Sequence, residues 1–322
     1  MPRFEPLDAQ QVPRFAGIKT FMRLPHVTDL DGVEAAAVGI PFDTGTSFRP
    51  GPRFGPEAIR SASALLRPYH PGFGIDLVEA LAIVDYGDVS VAPGDTPGSL
   101  RRIADGLAPL VAAGVFTIGL GGDHTITLAE LRAHARSHGP LALVQLDAHA
   151  DTWDEYFGQK EFHGTTFRRA AEEGLLDPAA SVQAGMRGSL YDAGDYELSR
   201  ELGFRLIPAD ELRAIGPEGL ALEVKSRAAD RPVFLTFDVD FLDPAYAPGT
   251  GTPEVAGFTT VEAVAFLRAL RGVNLAAADV VEVSPSYDGP GQVTALAAAN
   301  VAWELLALRA ARKRSDNVSR AR

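Results

Sequence analysis

The chain has no cysteine among its 322 residues, which excludes a disulfide framework, a thiolate metal site and a thiol nucleophile. Any metal bound here takes oxygen and nitrogen ligands. Long apolar runs are also missing. No stretch approaches the ~20 apolar residues needed to span a bilayer, and the N-terminus, MPRFEPLDAQQVPRFAG, lacks a basic region followed by an apolar core. The expectation is a cytoplasmic protein without membrane contact. Positive charge is scarce: 30 Lys and Arg face 42 Asp and Glu, a formal net charge of −12. That balance argues against a nucleic-acid partner; it either steers a cationic ligand or serves solubility alone. No linker, internal repeat or low-complexity segment interrupts the chain.

What is present is an ordinary enzyme-sized composition, 46% apolar and 22% charged, enough for a sizeable core in one domain spanning residues 1–322. Residues 1–30 read as an N-terminal extension that wraps a neighbour or covers its own subunit, and 312–322 as a basic, fraying helix end. Eight short runs rich in Val, Ile, Leu and Phe read as strands, at 35–40, 81–87, 114–122, 141–147, 181–188, 204–209, 232–240 and 279–285. Stretches with helical spacing separate them, among them PEAIRSASALL, TLAELRAHARSHG, EGLALEVKSRAAD and LAAANVAWELLALRAARK. Runs apolar on both faces imply strands covered on both sides. The expected fold is α/β, a three-layer α/β/α sandwich around an eight-stranded, mostly parallel sheet.

In such sheets, sites form outside the carboxyl ends of the strands. The polar residues follow that rule. VFTIGL runs into GGDH, placing Asp123 and His124 at a tip. LALVQL runs into DAHAD, placing Asp147, His149 and Asp151 at every second position, on one side if the backbone stays extended. VFLTF runs into Asp238 and Asp240, and VV into Glu282. Singly, each piece has a plain structural reading as a cap, turn or surface pair. Jointly, three apolar strands ending in ligand-type residues point to metal.

Four carboxylates and two imidazoles in one cleft repel unless cations balance them. His124, Asp147, His149, Asp151, Asp238 and Asp240 are too many ligands for one ion; two divalent ions match the four carboxylates. Oxygen-dominated ligands with some imidazole suit Mn2+ ahead of Fe2+, Co2+ or Zn2+. Two ions about 3.5–4 Å apart activate a shared water for hydrolysis. A dinuclear phosphoesterase would use similar ligands but wants Arg or Lys beside the metals, and the three ligand blocks contain none.

With these blocks in view, the chain resembles the ureohydrolase family of arginases and agmatinases. GGDH, DAHAD and FDVDFLDPAYAPGTGTPE match its signature blocks, TSFRPGPRFGPEAIR and VVEVSPSYD match two more, and the similarity runs from about Phe21 to the last helix. Only Ala150 departs, where relatives have Ser or Thr. The resemblance implies an arginase/deacetylase-like fold and two Mn2+ per subunit. One would be held by His124, Asp147, Asp151 and Asp238, the other by Asp147, His149, Asp238 and Asp240. It further implies His163 as a proton shuttle at the mouth and Glu282 as the partner of a substrate guanidinium. Activated water would attack the guanidinium carbon, Asp151 would help deliver a proton to the departing amine, and urea and an amine would leave. A homo-oligomer, trimer or hexamer, is implied as well. A catalytically silent relative serving as a scaffold would be betrayed by missing ligands, and all six are here.

For the substrate, arginases place an Asn two residues after the last ligand Asp of this block. This chain has Trp153 there, and an indole offers nothing suited to a carboxylate. Trp153, Tyr156 and Phe157 either wall an apolar slot for a methylene chain or pack the loop. Asp154 and Glu155 are placed to attract a terminal ammonium. YFGQKEFHGT and IKTFMRLP resemble agmatinases and proclavaminate amidinohydrolases, so hydrolysis of agmatine to putrescine and urea is the first expectation, with guanidinobutyrate, guanidinopropionate or a specialised guanidino metabolite as alternatives. Arg187 is open between a structural role and contact with a carboxylate-bearing substrate.

Overall fold

The computed structural model describes residues 3–192 and 194–320. The strands are β1 (Ala35–Ile40), β2 (Tyr69–His70), β3 (Ile75–Asp76), β4 (Ile83–Asp88), β5 (Phe116–Gly121), β6 (Ala142–Leu146), β7 (Val182–Met186), β8 (Arg205–Pro208), β9 (Val233–Asp238) and β10 (Leu275–Val281). Eight of them form one sheet in the order β4-β1-β5-β10-β9-β6-β7-β8, and all its pairings are parallel. β2 and β3 make a separate antiparallel hairpin that the sequence patterning does not announce. The helices are α1 (Gly55–Ser63), α2 (Leu77–Ala80), α3 (Thr96–Ala112), α4 (Ile126–His138), α5 (Thr166–Glu172), α6 (Asp195–Leu202), α7 (Ala209–Ala228), α8 (Thr260–Ala269) and α9 (Val293–Arg320).

The strand side chains alternate between two cores, as a pleated sheet requires. Ala142, Val144 and Leu146 face Ile59, Leu212, Phe266 and Leu305, so α1, α7, α8 and α9 cover one side. Leu143 faces Leu107, Leu131 and Phe167, so α3, α4 and α5 cover the other. The three-layer expectation holds, with the sheet buried on both faces.

Several boundaries differ from the sequence reading. β10 begins at Leu275 rather than at 279, because an alanine run that looks weak as a strand fits between close-packed neighbours. α7 begins before Pro217, across a kink at Gly216 with φ 65°; only the half after the proline carries a recognisable period. α9 passes the length and hydropathy test for a membrane span over Val293–Asn317, contrary to the expectation that no stretch does, but 67% of its apolar window is buried inside the fold. Its basic end is partly tied down: Arg312 donates to the carbonyl of Gly272, and Lys313 to Glu34 and the carbonyl of Ala80. The N-terminal segment is anchored as well. Phe21, Met22 and Leu24 are buried in the core, the Phe21 amide donates to Asp85 and the Met22 amide to Ser63.

β5, β10, β9 and β6 are consecutive neighbours at the centre of the sheet. These are the four strands whose tips carry the acidic and imidazole residues.

Candidate metal centre and its cavity

After β5 the chain must turn sharply. Gly122, with φ 38°, lies so close to the carbonyls of Ile40 and Phe42 that a Cβ would sit 2.6 and 2.8 Å from them. Asp123 is consumed by that turn, accepting from the amides of Gly45 and Thr125. His124 comes next, fully buried, its Nε2 2.8 Å from the Thr236 hydroxyl. Its Nδ1 lies 3.1 Å from Asp147, 3.0 Å from Asp151 and 3.2 Å from Asp238.

β6 ends at Leu146, and the chain bends over residues 147–149. Asp147 accepts from the His149 amide at 2.7 Å and from the Gln145 side chain at 2.7 Å, and Asp151 has φ 52°. The expectation that a period-two row in an extended chain aligns these side chains is therefore corrected: a turn aligns them instead. It sends Asp147 and Asp151 toward His124 and puts His149 Nδ1 3.0 Å from Asp240. Beyond β9, Asp238 accepts from the Asp240 amide at 2.8 Å, and Asp240 sits in a 3-10 turn, accepting from the Ala148 amide. Two groups emerge with ligand atoms within 4.8 Å of one another, His124 with Asp147 and Asp151, and Asp147 with His149 and Asp240. Asp147 is common to both.

The electrostatics call for cations. Burial, then the charges of Asp240 and Asp151, push Asp147 up to about 7. Asp238 is driven well above the usual carboxylate range by burial, Asp240 and Asp147. Burial works against His124, yet Asp147, Asp151 and Asp238 raise it well above an ordinary imidazole. His124 Nδ1 and Asp240 Oδ2 are buried against these groups and make no aligned hydrogen bond among the described residues. A divalent cation satisfies these orphaned atoms and the crowded charge together, so the donor set fits the metal class expected from the sequence.

His163 opens a 3-10 turn, His163–Thr165. Its Nδ1 is 3.1 Å from Glu282 and its Nε2 2.8 Å from the Ser47 hydroxyl, so its partners are side chains rather than backbone alone. Burial opposes, but Glu282 raises its pKa. Glu282, with φ 63° just past β10, accepts from the His124 amide at 2.8 Å through Oε1; Oε2 is buried without a partner.

A cavity of about 310 Å3 opens above the cluster, with Asp151, Asp238, Asp240, His149 and His163 in its lining. Trp153, Tyr156 and Tyr191 form an aromatic wall; Trp153 stacks on Tyr156 at 5.1 Å and 10°, and the two tyrosine hydroxyls are 2.8 Å apart. Gly164 lies under the indole, where a Cβ would meet the ring at 2.9 Å. Of the expected aromatic trio, Phe157 is absent from the lining and 75% exposed. Asp154 is likewise no lure for a ligand: it pairs with Arg169 at 2.7 Å, and neither it nor Glu155 lines the cavity. Asp195 and Glu254 line it instead, residues that the sequence reading passed over although Glu254 closes the GTGTPE block. Arg187 also lines it, and its guanidinium donates to the carbonyls of Asp240, Leu242, Glu254 and Val255.

A parallel α/β/α sheet with a dinuclear-type cluster of carboxylates and imidazoles at its central tips defines the class. The Arginase family model matches residues 33–308, and the chain belongs to that family. It is 46% identical to the guanidinobutyrase of Pseudomonas aeruginosa, covering 94% of this chain and 95% of that protein. It is also 46% identical to the mitochondrial agmatinase of Gallus gallus, covering 94% and 88%. Among solved structures, the proclavaminate amidino hydrolase of Streptomyces clavuligerus superposes with a TM-score of 0.89 at 42% identity, covering 94% of this chain and all of that one.

Proposed function

We propose that the protein hydrolyses a guanidino compound to urea and an amine with two Mn2+ ions, and that agmatine, giving putrescine, is its preferred substrate. The observation that carries the reading is the buried Nδ1 of His124 facing three carboxylates, two of which, Asp151 and Asp238, line the cavity. His124, Asp147, Asp151 and Asp238 would hold one ion; Asp147, His149, Asp238 and Asp240 would hold the other. When bound, such a pair lowers the pKa of a shared water toward neutrality and stabilises charge developing on oxygen.

The chain's own residues do the rest. Glu282 Oε2, buried and unpaired, accepts from the guanidinium and fixes its plane. Asp151, reaching the site from left-handed backbone, takes up the proton that the attacking water gives off and passes it to the departing nitrogen as the carbon–nitrogen bond breaks. His163 keeps its proton to a higher pH than a free imidazole because of Glu282 and passes protons between the site and solvent through the Ser47 side. Trp153 and Tyr156 line the path of a methylene chain and exclude water.

Asp195, in the lining away from the ligands, favours an ammonium at the far end, since Arg187 is committed to main-chain carbonyls. A guanidino acid is the second reading, favoured by Arg187's place in the lining and by the guanidinobutyrase relative. Urea release from agmatine, 4-guanidinobutyrate, 3-guanidinopropionate and arginine, with Mn2+ present, ranks them by kcat/KM. Agmatine is expected to lead, and Asp195→Asn to raise its KM about tenfold, the equivalent of about 1.4 kcal/mol. A lead for guanidinobutyrate unaffected by Asp195→Asn would overturn the agmatine assignment. Asp238→Asn is expected to lose both metal and turnover; full urea release from that variant would end the metal reading. We also read the protein as a homo-oligomer, trimer or hexamer, supported by Phe15 and Ile18, 86% and 85% exposed; light scattering measures the mass.

A further inference from the structure

Behind His124, on the side turned away from the cavity, lies a buried polar set that the hydrolytic reading does not use. Asp279 of β10 is the register partner of Thr236 on β9 and of Gly119 on β5. Thr127 of α4 donates its hydroxyl to Asp279 Oδ2 at 2.5 Å, and Thr236, its neighbour across the β9–β10 ladder, brings a second hydroxyl up to the same carboxylate. Glu130, one turn further along α4, is fully buried and lies against Asp279. Neither of its oxygens meets a donor, nor does Asp279 Oδ1. β5 makes room for this carboxyl group by carrying no side chain: a Cβ on Gly119 would lie 2.4 Å from Glu130 Oε1.

Two ionised carboxylates do not persist side by side in a dry interior; one proton shared between them removes the conflict. The donors decide where it sits. Asp279 faces the hydroxyls of Thr127 and Thr236 and is the anion. Glu130 faces no donor and is the acid, its O–H directed at Asp279. Burial, then the charge of Asp279, drive Glu130 well above the carboxylate range, in keeping with that placement. If Thr236 gives its hydrogen to Asp279, its oxygen is left to accept, and the atom facing it is His124 Nε2 at 2.8 Å. The hydrogen of the imidazole is thereby placed on Nε2, and Nδ1 is left as a bare lone pair toward Asp147, Asp151 and Asp238.

We propose that Thr236, Asp279 and Glu130 are a chain of positioning residues that holds His124 in its Nε2–H form, so that Nδ1 is preset to ligate one of the two cations. The inference rests on His124 being a metal ligand, as argued above. Partners of this kind orient a ligating imidazole and raise its basicity, and their loss costs 10–100-fold in metal affinity.

The test needs no turnover. Protein stripped by chelation is titrated with Mn2+, and free aqueous Mn2+ is followed by its electron paramagnetic resonance signal. Wild-type protein is expected to take up two ions. Thr236→Val keeps the shape and loses the hydroxyl, and is expected to weaken one ion about 10–100-fold while sparing the other. Thr236→Ser is expected to restore it. Glu130→Gln, whose amide still donates to Asp279, is expected to bind like wild type, whereas Glu130→Met, of similar length without a donor, is expected to weaken the same ion. Wild-type affinity in Thr236→Val, equal weakening of both ions, or equal loss in Glu130→Gln and Glu130→Met would each overturn the chain. Failure of the wild type to take up Mn2+ would instead remove the metal-centre reading on which it rests.

Discussion

Stripping the metal and restoring it should change the melting temperature by an amount that can be worked out beforehand. The proposed ligands come from three strands far apart in sequence, so the unfolded chain offers no preformed site and binding energy becomes folding energy. At a free Mn2+ concentration of 100 times Kd, each site contributes about 2.7 kcal/mol, and two sites about 5.4 kcal/mol. With about 2.1 cal/mol/K of unfolding entropy per residue, 322 residues give about 0.68 kcal/mol/K. The expected rise is thus about 8 °C, read by differential scanning fluorimetry. It should also depend on pH. In the metal-free protein Asp147, His124 and His149 all have folded pKa values above their unfolded ones. Such groups stabilise the fold at low pH and lose that contribution as pH rises through the folded values, about 7 for Asp147. Asp240, depressed by His149 against the effect of burial, acts in the opposite direction but titrates far below that window. The Mn2+ shift should therefore be larger at pH 8 than at pH 5.5, where protons hold the same sites. A shift under about 2 °C at saturating Mn2+, or an undiminished shift in Asp238→Asn, would refute the reasoning.

Two further outcomes are expected away from the ligands. His134, hydrogen-bonded to Thr117 at 2.9 Å, is pushed down to about 3 by burial and by His138; its folded pKa is depressed, so its contribution is complete above the unfolded value near 6.5 and is lost as pH falls. At about 1.36 kcal/mol per unit, acidification from pH 6.5 to 4.5 costs about 2.7 kcal/mol through this one residue, and thermal melts of His134→Gln across that range should show a shallower acid slope. Gly119→Ala should destabilise by about 1–3 kcal/mol, lowering the melting temperature about 1.5–4.5 °C, because its Cβ meets Glu130 Oε1; an unchanged melt would show that Glu130 moves aside freely.

How much of this was legible depended on whether a residue's chemistry or its path mattered. His124, Asp147, His149, Asp151, Asp238 and Asp240 stand out in the sequence because ligand-type residues rarely follow three apolar strands. Their convergence was legible, but its means were not. Only the fold shows that Asp151 and Glu282 reach the site from left-handed backbone, φ 52° and 63°, and that His149 turns toward Asp240. The alanine run of β10 and the half of α7 before Pro217 were obscured because tertiary packing overrides weak local preference. Asp195 carried no local signal, since an exposed carboxylate and a cavity-lining one look alike as letters, whereas Glu254 was marked by its place at the end of the GTGTPE block. Asp279 did leave a trace, as an acid inside a strand whose other residues are apolar, and burial makes that trace meaningful; Glu130, in a helix that also carries Thr, Arg and His, left none.

The ligand cluster and the upper wall of the cavity are built on different parts of the fold. The floor is fixed by β5, β6, β9 and β10, four adjacent strands packed on both faces, where a shift of one ligand disturbs the others. The upper wall comes from connecting segments bearing Trp153, Tyr156 and Tyr191 and from Asp195 at the start of α6, which can change without disturbing the sheet. This division explains why the chain is equally identical, at 46%, to a guanidinobutyrase and to an agmatinase, whose names imply opposite charges at the far end of the substrate. Identity summed over the chain is dominated by the scaffold and the floor. Under the proposed function the charge of the substrate's tail would be decided by a few wall side chains, so variants of Asp195 discriminate where whole-chain similarity does not.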